Sequence, residues 1–176
     1  TLKLTPRPDA RQMLRALFRD VESAAHAVAR VMNQANTPSM LEFMDATSIR
    51  LAREIGGADI EDAGALILLE TDGEPHLLSS QLQGLANYLQ GDVCISIDIA
   101  SSDAEQAQLM DARKALSPAL RSLASGKINE DVVVPVSQVP ALVRFVEKLS
   151  ANQQLLIVCF GHIGNGNVHV NIMYEK

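Results

Sequence analysis

The segment Gly161-His162-Ile163-Gly164-Asn165-Gly166-Asn167-Val168-His169-Val170-Asn171 combines three glycines, two histidines and three asparagines, and no other part of the chain is better suited to chemistry. Apolar stretches at 155–160 and 168–172 flank it, so it reads as strand, glycine-rich loop, strand. Side chains alternate across a strand, which places His169 and Asn171 on one face. An antiparallel hairpin then brings His162 to the same side, and paired neutral imidazoles suit Zn²⁺ or a similar divalent ion. Gly164 and Gly166 supply the positive φ, or the close backbone approach, that such a loop needs. Spacing alone leaves a second reading open, a polar loop whose histidines only bond nearby backbone. The segment is neither a dinucleotide fingerprint nor a phosphate loop, because the glycine spacing is wrong and no helix follows.

Arg113 and Ser117 stand one helical turn apart and so share a face. A guanidinium offers paired donors that match two carboxylate oxygens, and a neighbouring hydroxyl completes a clamp. Against this, Ser117 precedes Pro118 and suits the cap of a restarted helix, with Arg113 a solvated surface residue. Lys127 opens Lys127-Ile128-Asn129-Glu130-Asp131-Val132-Val133-Val134-Pro135 and can add positive charge to a carboxylate site, oriented by Glu130 and Asp131. Most charged clusters at the start of a strand are solvent-facing turns. His26, on the first helix, and His76, in a turn after Pro75, have no evident partner. There is no nucleophile elbow and no histidine beside either cysteine, so covalent catalysis finds no support.

These residues need a folded scaffold, and the composition provides one. At 176 residues, with 47% hydrophobic and 20% charged residues, the chain fits one globular domain. A net charge of −6 and a pI near 5.1 give no footprint for nucleic acid, and 3% aromatics without tryptophan give no stacking platform. A local basic pocket for an anionic metabolite stays compatible with the overall charge. No apolar run approaches the roughly 20 residues that span a bilayer, and no signal peptide is visible. Cys94 and Cys159 each lie in an apolar stretch, as buried reduced thiols of a cytoplasmic protein do.

Leu2 and Leu4 alternate with polar residues before Pro6 and Pro8, predicting a short opening strand and a linker. Helices are predicted after Asp20, after Asp45 (stopped by Gly56-Gly57), over 82–89, after the capping pattern Ser102-Asp103-Ala104-Glu105, and after Ser137. Strands are predicted at 40–44, 65–70, 93–99 and 131–136, with Asp72-Gly73 a turn. The connections are short for parallel crossovers. The fold expected is therefore α+β and ferredoxin-like, a largely antiparallel sheet with helices on one face.

In this order, several segments resemble the C-terminal domain of FAD-linked oxidases, the family of D-lactate dehydrogenase, the glycolate oxidase flavoprotein subunit and D-2-hydroxyglutarate dehydrogenase. They are Leu-Lys-Leu-Thr-Pro-Arg-Pro at the start, Pro-Ser-Met-Leu-Glu-Phe-Met-Asp at 38–45 and Ala-Leu-Ile-Leu-Leu-Glu-Thr-Asp-Gly at 65–73. Ala112-Arg113-Lys114, residues 130–135 and the histidine segment follow. The resemblance implies oxidation of a 2-hydroxy acid to the 2-oxo acid, with hydride passing to FAD. It implies His162 and His169 as ligands of Zn or Mn, and Arg113 as the grip on the substrate carboxylate. Ser117 falls where some members carry a hydroxyl, and Asn171 matches an asparagine at the substrate. A family lysine corresponds to Lys127 by proximity, although strict alignment on Asp131-Val132 puts Asn129 there. Asn165 stands where the family has aspartate.

The resemblance also implies a fragment: a substrate or cap domain over 1–176, with the flavin-binding domain preceding Thr1 and the third metal ligand and catalytic base following Lys176. Such a fragment should bind neither FAD nor metal tightly and should be inactive alone. The whole protein is expected in the cytoplasm, or peripheral to the inner membrane. Two other classes fit the residues less fully: a stand-alone ferredoxin-like module that binds a small molecule, and a metal hydrolase built on His162 and His169.

Overall fold

The computed structural model describes residues 8–91 and 93–175. In chain order the elements are β1 (Ala10–Phe18), α1 (Val21–Met32), β2 (Met40–Asp45), α2 (Ala46–Glu54), β3 (Ala65–Gly73), α3 (Pro75–Leu89) and β4 (Cys94–Ile99). They continue with α4 (Asp103–Leu123), β5 (Gly126–Val133), α5 (Val139–Gln153), β6 (Leu156–His162) and β7 (Asn167–Tyr174). The seven strands form one sheet in the order β4-β1-β3-β2-β6-β7-β5. Every pairing is antiparallel, as the α+β reading expects.

The helices divide between two faces rather than covering one. Leu14, Phe18, Phe43, Ile67, Cys159 and Val170 face α1, α3 and α5. Met13, Leu17, Met44, Leu68, Val158 and Phe160 face the opposite way, toward α2 and α4. The central strands are therefore apolar on both sides, and residues 65–69 are all buried. This rules out helices on one face only, because either face of β3 left bare would expose a row of leucines and isoleucines.

Local signals account for most helix boundaries. Asp20 caps α1 by accepting the Ser23 amide at 2.7 Å, and Asp45 caps α2 through Ser48 at the same distance. Ser102 accepts from Glu105 at 3.3 Å, while the Glu105 carboxylate reaches back one residue further than a capping box, to Ser101. α4 runs unbroken through Pro118, so Ser117 does not cap a restarted helix.

Other boundaries shift. The proposed strand at Leu2 and Leu4 lies outside the described residues. Residues 10–18, to which the sequence patterns assign no element, form β1, whose Ala-Arg-Gln-Met-Leu-Arg-Ala-Leu-Phe has helix-forming composition yet pairs with both β3 and β4. Tertiary packing here overrides local propensity. Asp72 and Gly73 are the last residues of β3, His76 lies in the first turn of α3, and β5 begins at Gly126 instead of residue 131. Ser137 sits in a 3₁₀ turn, and Gln138 precedes α5.

Candidate functional site

The histidine hairpin forms as the sequence predicts, with a 3₁₀ turn (Ile163–Asn165) joining β6 to β7. Gly166 needs its glycine. Its φ is +73°, and a Cβ there would stand 1.8 Å from the Val134 carbonyl oxygen. Gly161, at φ +155°, would press a Cβ to 2.6 Å from the Asn167 carbonyl. Gly164 has ordinary φ and packs on Leu41 instead. The Asn165 side chain accepts the Asn167 amide at 3.2 Å, so this residue closes the turn, a task that its amide oxygen performs as well as a carboxylate.

On the sheet face toward α4, the hairpin brings the imidazoles of His162 and His169 to 5.3 Å between centroids, edge-on at 82°. Each ring is held from behind by a carboxylate: His162 Nδ1 bonds Glu42 on β2, and His169 Nδ1 bonds Asp131 on β5. An ionised carboxylate only accepts, so Nδ1 carries the proton, and in the neutral imidazole that leaves Nε2 with the lone pair. No hydrogen bond occupies either Nε2 among the described residues. The Asp131 carboxyl is held below its ordinary value, chiefly by the His169 hydrogen bond. β5 presents Asp131 because it sits directly across the ladder from His169.

Arg113 reaches the same place from α4. Its Nε donates to Glu42 at 2.8 Å, and the guanidinium lies 4.4 Å above the centre of the Phe160 ring. Phe160 also meets His169 edge-on at 5.7 Å. Lys127 donates from Nζ to Asn171 Oδ1 at 3.2 Å. Asn171 is fully buried and turns its amide hydrogens toward the carbonyls of Val158 and His169. Asn129, directly opposite Asn171, turns instead to Asp131 at 3.5 Å.

The structure thus gathers Arg113, Lys127, His162, His169 and Asn171 around one sheet face. Ser117 lies one turn further along α4, half-buried, with no side-chain hydrogen bond among the described residues. His26 and His76 lie away from this face, on α1 and α3. Three contributors lacked a clear motif: Glu42, Phe160 and Asp131 as the partner of His169. The signal for Glu42 is its type, a lone carboxylate inside the apolar strand Met-Leu-Glu-Phe-Met.

For a metal, the fit is partial. Two imidazoles with free Nε2 atoms backed by carboxylates are the donor arrangement an ion prefers. The Asn167 Oδ1 atom, across the ladder from His162, is buried without a partner. Among the described residues, no third His, Cys, Asp or Glu completes a group able to hold an ion.

The family described as FAD linked oxidases, C-terminal domain, matches residues 7–176. The chain belongs to this family. Among relatives of the FAD-linked oxidase domain, the glycolate oxidase subunit GlcD of Bacillus subtilis is 27% identical over 169 residues, covering 96% of this chain and 36% of that protein. The Escherichia coli K12 subunit GlcD is 28% identical over 176 residues, covering 99% and 35%. D-lactate dehydrogenase of Anaerostipes hadrus is 24% identical, covering 97% and 38%. The chain thus spans little more than a third of the length of these curated relatives.

Solved structures share the fold of this FAD-linked oxidase domain. A p-cresol methylhydroxylase with substrate bound aligns at a TM-score of 0.71 and 8% identity, covering 96% of this chain and 40% of that one. An alkyldihydroxyacetonephosphate synthase aligns at 0.69 and 14% identity, covering 96% and 37%. Among the described residues, no helix is long and apolar enough to cross a membrane.

Proposed function

We propose that this domain is the substrate-binding cap of an FAD-dependent 2-hydroxy-acid dehydrogenase of the D-lactate, glycolate or D-2-hydroxyglutarate type. The observation that carries the reading is the convergence of Arg113, His162 and His169 on one sheet face, in a chain related to glycolate oxidase and D-lactate dehydrogenase. FAD, held mainly by a flavin-binding domain of the same protein, supplies the hydride acceptor when bound.

Arg113 grips the substrate carboxylate with the terminal amino groups that Glu42 leaves free. Ser117 adds a hydroxyl from the next helical turn. Lys127, steadied by Asn171, contributes positive charge on the other side. His162 and His169 offer their Nε2 atoms to a divalent ion, zinc or manganese, which would polarise the substrate hydroxyl and lower its pKa. Two cavities, of about 420 and 620 Å³, lie away from these residues. The free thiols Cys94 and Cys159 agree with a cytoplasmic setting.

The test is the visible spectrum of the full-length gene product, recorded anaerobically. A flavin band bleached by D-lactate, glycolate or D-2-hydroxyglutarate is the expected result. A colourless intact protein would sink the proposal and favour a binding module or a hydrolase; a flavin that none of the three acids reduces would sink the hydroxy-acid substrate class.

A further inference from the structure

We infer that Glu42 is the positioning residue of this site, locking the Arg113 guanidinium and the His162 imidazole into one geometry around a common ligand. The inference deepens the functional reading above and rests on it.

Glu42 lies within β2, near the middle of the sheet, and its side chain is 7% exposed. A buried carboxylate is costly unless both oxygens are satisfied. Here each oxygen has its own partner on a different element: Oε2 takes the Arg113 Nε from α4, and Oε1 takes the His162 Nδ1 from β6. Burial of Glu42 calls for a partner at Oε1 but does not require that it be His162, whose side chain is 49% exposed. Packing alone does not explain the first, since an apolar group of similar volume commonly replaces a buried pair without loss of stability. What the arrangement achieves is orientation. Neither the Arg113 terminal amino groups nor the His162 Nε2 has a hydrogen-bond partner among the described residues, so these donors and this lone pair are left for a ligand. Phe160 under the guanidinium gives Arg113 a second contact, 4.4 Å from the ring centre. A group that holds a carboxylate donor and an imidazole at once sets the distance between a ligand's acid group and its reacting carbon.

The test uses the full-length flavoprotein with Glu42→Gln, Arg113→Gln and the double variant. Glu42→Gln should raise KM for the hydroxy acid roughly tenfold through Arg113 and lower kcat roughly tenfold through His162. Arg113→Gln should act mainly on KM. Added to Arg113→Gln, Glu42→Gln should give no further rise in KM yet keep its loss in kcat. KM effects that add in full, or an unchanged kcat, would overturn the proposal. If Glu42→Gln alone does not fold, the double variant is compared with Arg113→Gln, because it leaves no buried charge unpaired. A crystal structure of a Glu42→Gln protein provides a reading that needs no turnover. Displaced Arg113 and His162 side chains are expected, and both at their wild-type positions would refute the role. Failure of the hydroxy-acid reading is seen separately, as wild-type flavin that the acids leave oxidised.

Discussion

Arg113 meets Glu42 through Nε alone, at 2.8 Å, so its two terminal amino groups stay free on an otherwise fixed guanidinium. Arg113→Ala should therefore lower kcat/KM on 2-hydroxy acids by roughly 1.5–3 kcal/mol, the range for a hydrogen bond to a charged group. Steady-state kinetics of the flavin-loaded protein check this. Unchanged constants would remove Arg113 from the substrate.

His169 and His162 stand 5.3 Å apart with their Nδ1 atoms engaged elsewhere. His169→Ala in the full-length protein should lower bound zinc or manganese, measured by elemental analysis after dialysis. Equal metal content in wild type and variant would count against ligation.

Asp45 gives a pH signature. Burial pushes its carboxyl up from 3.8 to about 6, against the opposing hydrogen bonds from Ser48 and Cys159. Between pH 4 and 6 the folded chain holds a proton that the unfolded chain has released. Stability from this group therefore falls as pH rises through that window, by an amount on the order of 3 kcal/mol. Asp20 and Asp131 are shifted downward and work in the opposite sense. The informative quantity is the difference in urea stability between wild type and Asp45→Asn, which should decline between pH 4 and 6. A difference that stays level across the window would refute the assignment.

Gly166→Ala should destabilise the fold by ~1–3 kcal/mol, because a side chain at positive φ is strained and its Cβ meets the Val134 carbonyl. Chemical denaturation reads this directly. A midpoint within error of wild type would show that the loop relaxes freely.

Some of this was legible in the residues themselves. Asp20, Asp45 and Ser102 announce helices because a side-chain oxygen beside free amides is a local interaction, complete within four residues. The hairpin is legible for the same reason, since alternation puts His169 and Asn171 on one face wherever the strand lies. β1 was not legible. Arginine, glutamine, methionine, leucine and alanine favour a helix when alone, and only the flanking strands β3 and β4 supply the hydrogen bonds that make the segment extended.

By itself, the sequence determined an antiparallel α+β domain, a two-histidine hairpin and a family resemblance, all of which depend on short-range spacing or ordered motifs. The tertiary structure decided that helices cover both faces, because the central strands are apolar on each side. It also decided which carboxylate serves which ring. Glu42 and His162 are separated by most of the chain, and they become partners only because β2 and β6 lie side by side in the sheet. No spacing rule reaches across that interval; strand order does.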